Sequence, residues 1–150
     1  MFYGDTEVDM GLPKFDHSYS ALAMGFETIA AGATPVFGSL LYMQADGELN
    51  LADADAGTTC PAIAMALGTT EGKQLVMYAG SVRDDSWAWT LGAGEAGLIY
   101  LSTTAGGMTQ TKPVGAGDRI QCVGRAIDAD RMFFIGGIGW INPSLITVPA

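Results

Sequence analysis

A chain of 150 residues is long enough for one domain with a true core and short for two. Hydrophobic residues make up 49% of it and charged residues only 15%, below the quarter usual in freely soluble monomers; either other protein covers part of the surface, or the surface is rich in Thr, Ser, Gly and Ala. The net charge of −9, with seven scattered basic residues, argues against a nucleic-acid backbone as partner, and apolar stretches broken well short of ~20 residues give no membrane span.

Residues 1–20, MFYGDTEVDMGLPKFDHSYS, show no sustained period of either kind. Acids sit where a secretory signal needs Lys or Arg, so no export signal is expected. Pro13 discourages helix, and Gly4 and Gly11 loosen the backbone. The segment reads as an extended arm with singly spaced anchors, Phe2, Tyr3, Leu12, Phe15 and Tyr19, suited to docking on a neighbouring subunit. Residues 21–150 read as a single β domain.

From Ala21 to Ala33, helix-forming Ala, Leu and Met compete with Gly25 and the β-formers Phe26, Thr28 and Ile29. The expectation is a strand at Phe26–Ile29, a turn at Ala31–Thr34 and a strand through Val36 and Phe37. A further strand follows at Leu40–Gln44, closed by a hairpin turn at Ala45–Glu48, because Asp46-Gly47 accepts positive φ. Leu49–Thr59 reads as a polar loop. Pro61–Leu67 alternates strictly, with Ile63, Met65 and Leu67 on one face and Ala62, Ala64 and Ala66 on the other; the run is too short for a helix and bounded by Pro61 and Gly68. The small face would let another layer approach closely. Lys73–Val82 reads as a buried strand after a Glu-Gly turn, and Trp87, Trp89 and Leu91 share a face in the next.

The stretch from Gly97 to Gly136 holds three short apolar runs, Leu98–Leu101, Arg119–Ala126 and Met132–Ile135, separated by turn-forming residues. In the middle run, Ile120, Cys122 and Ala126 are expected to pack, and Arg119, Gln121 and Arg125 to meet water or a partner, with Val123 between them. A faint echo (AGATPVF with AGDRIQC, PAIAMAL with VGRAIDA) suggests two related β units. Regular turns and no confident helix make the fold class all-β, a small β-barrel or β-sandwich of short strands with an extended N-terminal arm.

Chemistry is hard to assemble from these residues. His17 has no Ser or Cys nucleophile near it in sequence. Asp46, Glu48, Asp53 and Asp55 lack the spacing of a calcium loop, and Cys60, Cys122 and His17 fail as zinc ligands on count and spacing. Gly92–Gly97, GAGEAG, is no phosphate loop, since no Lys-Ser/Thr follows. A disulfide between Cys60 and Cys122 stays open, with two buried thiols favoured. Trp87 and Trp89 could stack a sugar, though core roles suit them better. No enzyme activity, cofactor or metal is expected.

The segment GLIYLSTTAGGMTQTKPVGAGDRIQCVGRAIDADRMFF resembles a pattern of virion structural proteins of tailed bacteriophages. In that pattern a Tyr-Leu-Ser strand leads to a Gly-Gly-x-Thr-Gln-Thr turn, then a Gly-Asp strand ending in Val-Gly-x-Ala, then Ala-Asp before a last apolar strand. The match covers about a quarter of the chain, with looser likeness upstream. It implies a β-rich module assembled on a virus particle: a capsid decoration (cement) protein on the major capsid protein, as a homotrimer, or a tail fibre or spike module binding a receptor or glycan. The decoration reading is favoured by the docking arm and by a chain that is expected to be complete, with no repetitive shaft.

Overall fold

The computed structural model describes residues 19–69, 72–92, 97–137 and 146–149. Among them there is no helix; the chain forms a closed five-stranded β-barrel with extra strands, as the all-β reading expected. In chain order the strands are β1 (Tyr19–Ile29), β2 (Leu40–Met43), β3 (Leu49–Leu51), β4 (Ala64–Ala66), β5 (Gly72–Arg83), β6 (Leu98–Leu101), β7 (Met108–Thr109), β8 (Arg119–Ile120), β9 (Cys122–Ala126), β10 (Arg131–Ile135) and β11 (Ile146–Thr147).

The barrel runs β1-β3-β2-β4-β5 and closes because β5 also pairs with β1. Its seam is a single parallel bridge, Ile29 opposite Leu49. β5 is long enough to serve two neighbours along one edge. Met77 and Val76 face β4, while Ala79 to Arg83 face β10. From β10 the sheet continues through β9 and β6 to β7, and β8 pairs separately with β11.

This arrangement creates two cores separated by one strand wall. Ala64, Ala66, Leu41, Leu49, Val76 and Ile29 pack together inside the barrel. Met65, Leu40 and Met77 point the other way and join Val82, Ile99, Leu101, Val123, Met132 and Phe134 beneath the second sheet. The expected alternation holds only from Ala64 to Leu67: Ala62 packs with Met65 and Leu67 in the second core, Ile63 packs with Ala64 and Ala66, and the small Ala64–Ala66 face looks into the barrel. A five-stranded barrel encloses little volume, and alanines fit where larger side chains would not.

Several local expectations are corrected. Val36 and Phe37 form no strand: Ser39 N–H donates to Val36 O (2.9 Å), Val36 N–H donates to Ser39 Oγ (3.0 Å), and Gly38 sits at φ 86°. A tight turn thus takes the groups a ladder would need. The hairpin at Ala45–Glu48 is present, with Gly47 at φ 88° and Glu48 N–H donating to Asp46 Oδ1 (3.0 Å). The supposed loop after it begins with β3, because Leu49 enters the barrel opposite Met43. Trp87, Trp89 and Leu91 lie in irregular chain rather than a strand. Both tryptophans pack against the second core, their ring centroids 5.4 Å apart, and Leu91 is exposed. Nor, among the described residues, are the two halves copies of one unit: β1 to β5 close into a barrel, while β10, β9, β6 and β7 continue as a sheet.

The run Arg119–Ala126 departs most from its expected facing. It divides at Gln121, and Gln121 and Val123 are buried while Cys122 is only half-buried. A register shift against β6, where Ile99 faces Gly124 but Tyr100 faces Cys122, then returns Ala126 to the core and leaves Arg125 outside. A bulge of this kind resets strand alternation. The two cysteines are free, and both are half-buried rather than fully buried.

Candidate partner interface

The expected anchors Phe2, Tyr3, Leu12 and Phe15 lie outside the described residues, as does His17. Tyr19, the last anchor, is already the first residue of β1, its backbone opposite Val82 of β5. The strand expected at Phe26–Ile29 is thus eleven residues long and begins inside the segment read as the arm. Sequence reading missed this because YSALAM carries helix-compatible residues. Pairing with β5, more than forty positions away, overrides that local preference.

β1 uses one edge against β5 throughout, and its other edge only at Ile29. Among the described residues, no strand pairs with that second edge from Tyr19 to Thr28. An open edge offers unpaired N–H and C=O groups to any extended chain, and proteins usually blunt it with Lys, Pro or a very short strand. YSALAMGFETI has neither Lys nor Pro. Register shifts against β5 interrupt it between Ala21 and Met24, leaving Met24–Thr28 as a regular run. Within that run Phe26 is 61% exposed and Met24 38%.

The opposite face of the run is occupied. Tyr78 Oη donates to Glu27 Oε1, and Gly25 makes room for the pair: a Cβ there would lie 3.0 Å from Glu27 Oε1 and 3.1 Å from the Tyr78 ring. Burial, and then the bond to Glu27, push the Tyr78 phenol well above its ordinary range. The only charged side chain of β1 is therefore engaged with its own barrel.

Two shallow clefts lie elsewhere. One of about 300 Å³ runs over the outer side of β9 and β10, lined by Leu98, Cys122, Arg125, Phe133 and Ile135 among others. The other, about 200 Å³, lies between Val36, Phe37, Trp87, Trp89 and Met108. Neither gathers groups for catalysis. Among the described residues no three His, Cys, Asp or Glu side chains are placed to hold a metal ion. Asp53 accepts hydrogen bonds from Asp55 N–H (3.2 Å) and Thr59 Oγ1 (2.7 Å), which ties its loop.

The residues that carry the sequence resemblance serve as stitches. Gly106, at φ 73°, donates to Ala52 O (2.7 Å) and accepts from Leu40 N–H (2.9 Å), joining the Gly-Gly turn to the barrel. Gln110 Nε2 donates to Thr90 O (2.8 Å), and its Oε1 accepts from Thr90 N–H (2.8 Å). Fold and surface together define an all-β barrel protein in which, among the described residues, one edge of β1 is unpaired from Tyr19 to Thr28. Compared with protein-family models, curated proteins and solved structures, the chain matches none.

Proposed function

We propose that this protein is a structural component of a virus particle, a capsid decoration protein bound to the outer surface of the major capsid protein lattice. The observation that carries the reading is the edge of β1 that no strand pairs, among the described residues, from Tyr19 to Thr28; Tyr19, where β1 begins, is the last anchor of the proposed arm over residues 1–20. Backbone groups along such an edge are satisfied by a strand from a partner, and alternate side chains give that pairing its specificity. The likeness of Gly97–Phe134 to phage virion proteins supplies the kind of particle. On the shell the protein acts as a homotrimer through contacts of its own, with Phe2, Tyr3, Leu12 and Phe15 anchoring each arm to a capsid subunit. Three arms on one trimer bind with avidity well above that of one.

The reading is tested by mixing the protein with undecorated shells and sedimenting them. Co-sedimentation that saturates at a fixed stoichiometry, and is lost on deleting residues 1–18, is the expected result. Labelling confined to the tail of intact particles would reject it in favour of a tail fibre or spike module, for which the Trp87–Trp89 cleft would be the glycan candidate.

A further inference from the structure

We propose that the groove over the outer side of β9 and β10 is, in the free protein, the seat of this chain's own residues 12–16. The capsid reading enters only in what removes them, since a shell takes up the same anchors.

The groove lies along a row of paired residues that starts at β1. Ser20 lies opposite Ser81, Ser81 opposite Phe133, Phe133 opposite Arg125 and Arg125 opposite Leu98. Neighbouring strands stand about 4.8 Å apart, which puts Phe133 about 10 Å and Leu98 about 19 Å from the Ser20 backbone. At about 3.3 Å per residue, Phe15 reaches up to about 17 Å from Ser20 and Leu12 up to about 26 Å. The tether therefore brings both side chains to the groove.

The chemistry of the groove matches that of the segment. Leu98, Phe133 and Ile135 give it apolar walls. Its one charged lining residue, Arg125, is exposed and pairs with no carboxylate among the described residues, whereas Arg83 and Arg131 are bound to Asp85 and Asp128. Residues 12–16, LPKFD, bring two large apolar side chains and, beside Phe15, the carboxylate of Asp16. Pro13 favours the polyproline II form, whose three residues per turn set Leu12 and Phe15 on one side. Residues 138–145, which leave from the rim of the groove at Gly137, hold no acid to meet Arg125.

A segment tethered this closely is held at an effective concentration of about 1 mM, so a contact with a dissociation constant of about 0.1 mM is filled about nine-tenths of the time. Cys122 lines the groove and senses its cover. In the full chain its iodoacetamide labelling should be about tenfold slower than in the Leu12→Ser, Phe15→Ser variant. Cys60, outside the groove, is the internal reference. Arg125→Asp should also speed Cys122, although a carboxylate near a thiol by itself slows alkylation. Adding Asp16→Arg to that variant should restore the slow rate. A synthetic peptide of residues 10–18, added to the Leu12→Ser, Phe15→Ser variant, should slow Cys122 again. Circular dichroism melts establish that each variant is folded. Equal Cys122 rates with and without Leu12 and Phe15 overturn the proposal, as does a charge swap that restores nothing. Protection that grows with protein concentration assigns the groove to the arm of another copy and overturns docking within one chain. Undecorated shells should draw the arm out and speed Cys122. Shells that bind without doing so overturn this inference alone; a protected Cys122 in a protein that ignores shells overturns the capsid reading alone.

Discussion

The side-chain amide of Gln121 grips the backbone of Ala62 at both ends: Ala62 N–H donates to Gln121 Oε1 and Gln121 Nε2 donates to Ala62 O, each at 2.8 Å. Gln121 is 1% exposed, and Ala62 O also accepts from Gly137 N–H at 2.8 Å. One glutamine thus stands in for a strand neighbour where the barrel and the second sheet meet.

This stitch and its surface counterpart make a matched pair. Gln121→Leu strands the buried Ala62 N–H and should cost about 2–3 kcal/mol. Gln110→Leu breaks the same two-bond pattern at Thr90, but in contact with water, and should cost less than about 1 kcal/mol. Urea denaturation of both variants measures the difference. Equal losses would show that burial does not set the cost.

Close backbone approach makes two further positions intolerant of any side chain. A Cβ at Gly136 would lie 1.9 Å from Ile63 O, and one at Gly124 would lie 2.2 Å from Phe133 O. Either alanine variant must push strands apart and should lose more than about 3 kcal/mol. Gly92→Ala meets nothing within 4 Å and should be neutral or stabilising by up to about 1 kcal/mol. Thermal melts of the three proteins test the contrast.

Tyr78 gives the fold an alkaline limit. Its phenol is raised in the folded protein, by burial first and by the Glu27 bond second, so the folded state favours the protonated form. The resulting stability is fully present below the unfolded phenol value near 10 and is lost as pH rises beyond it. Ultraviolet titration should show a tyrosine absorbance step delayed beyond pH 10 that Tyr78→Phe removes. A titration curve unchanged above pH 10 in Tyr78→Phe removes the basis for the limit.

Cys60 is expected to be a sluggish thiol. Burial raises its pKa, and the nearby Arg119 guanidinium opposes that rise. Alkylation at neutral pH should be slower than for free cysteine, and Arg119→Ala should slow it further by lifting the pKa again. Mass spectrometry of timed iodoacetamide labelling resolves Cys60 from Cys122. Faster labelling in the variant would mean that Arg119 shields the thiol rather than acidifying it.

The all-β class and most turn positions were legible in the sequence because they depend on neighbours in the chain. Asp46-Gly47 makes a hairpin by its own backbone preference, and Leu98–Leu101 and Met132–Ile135 need only their apolar runs to be strands. Facing was legible where one rule ran unbroken, as at Met65 between Ala64 and Ala66. It failed at Gln121, where polarity suggested water and the tertiary structure supplied Ala62 instead. The length of β1, closure of the barrel at Ile29 and Leu49, the Tyr78–Glu27 pair and the open edge at Phe26 all depend on residues distant in sequence. No local pattern encodes such pairings; they arise when β5 selects its neighbours and two cores form on either side of one wall.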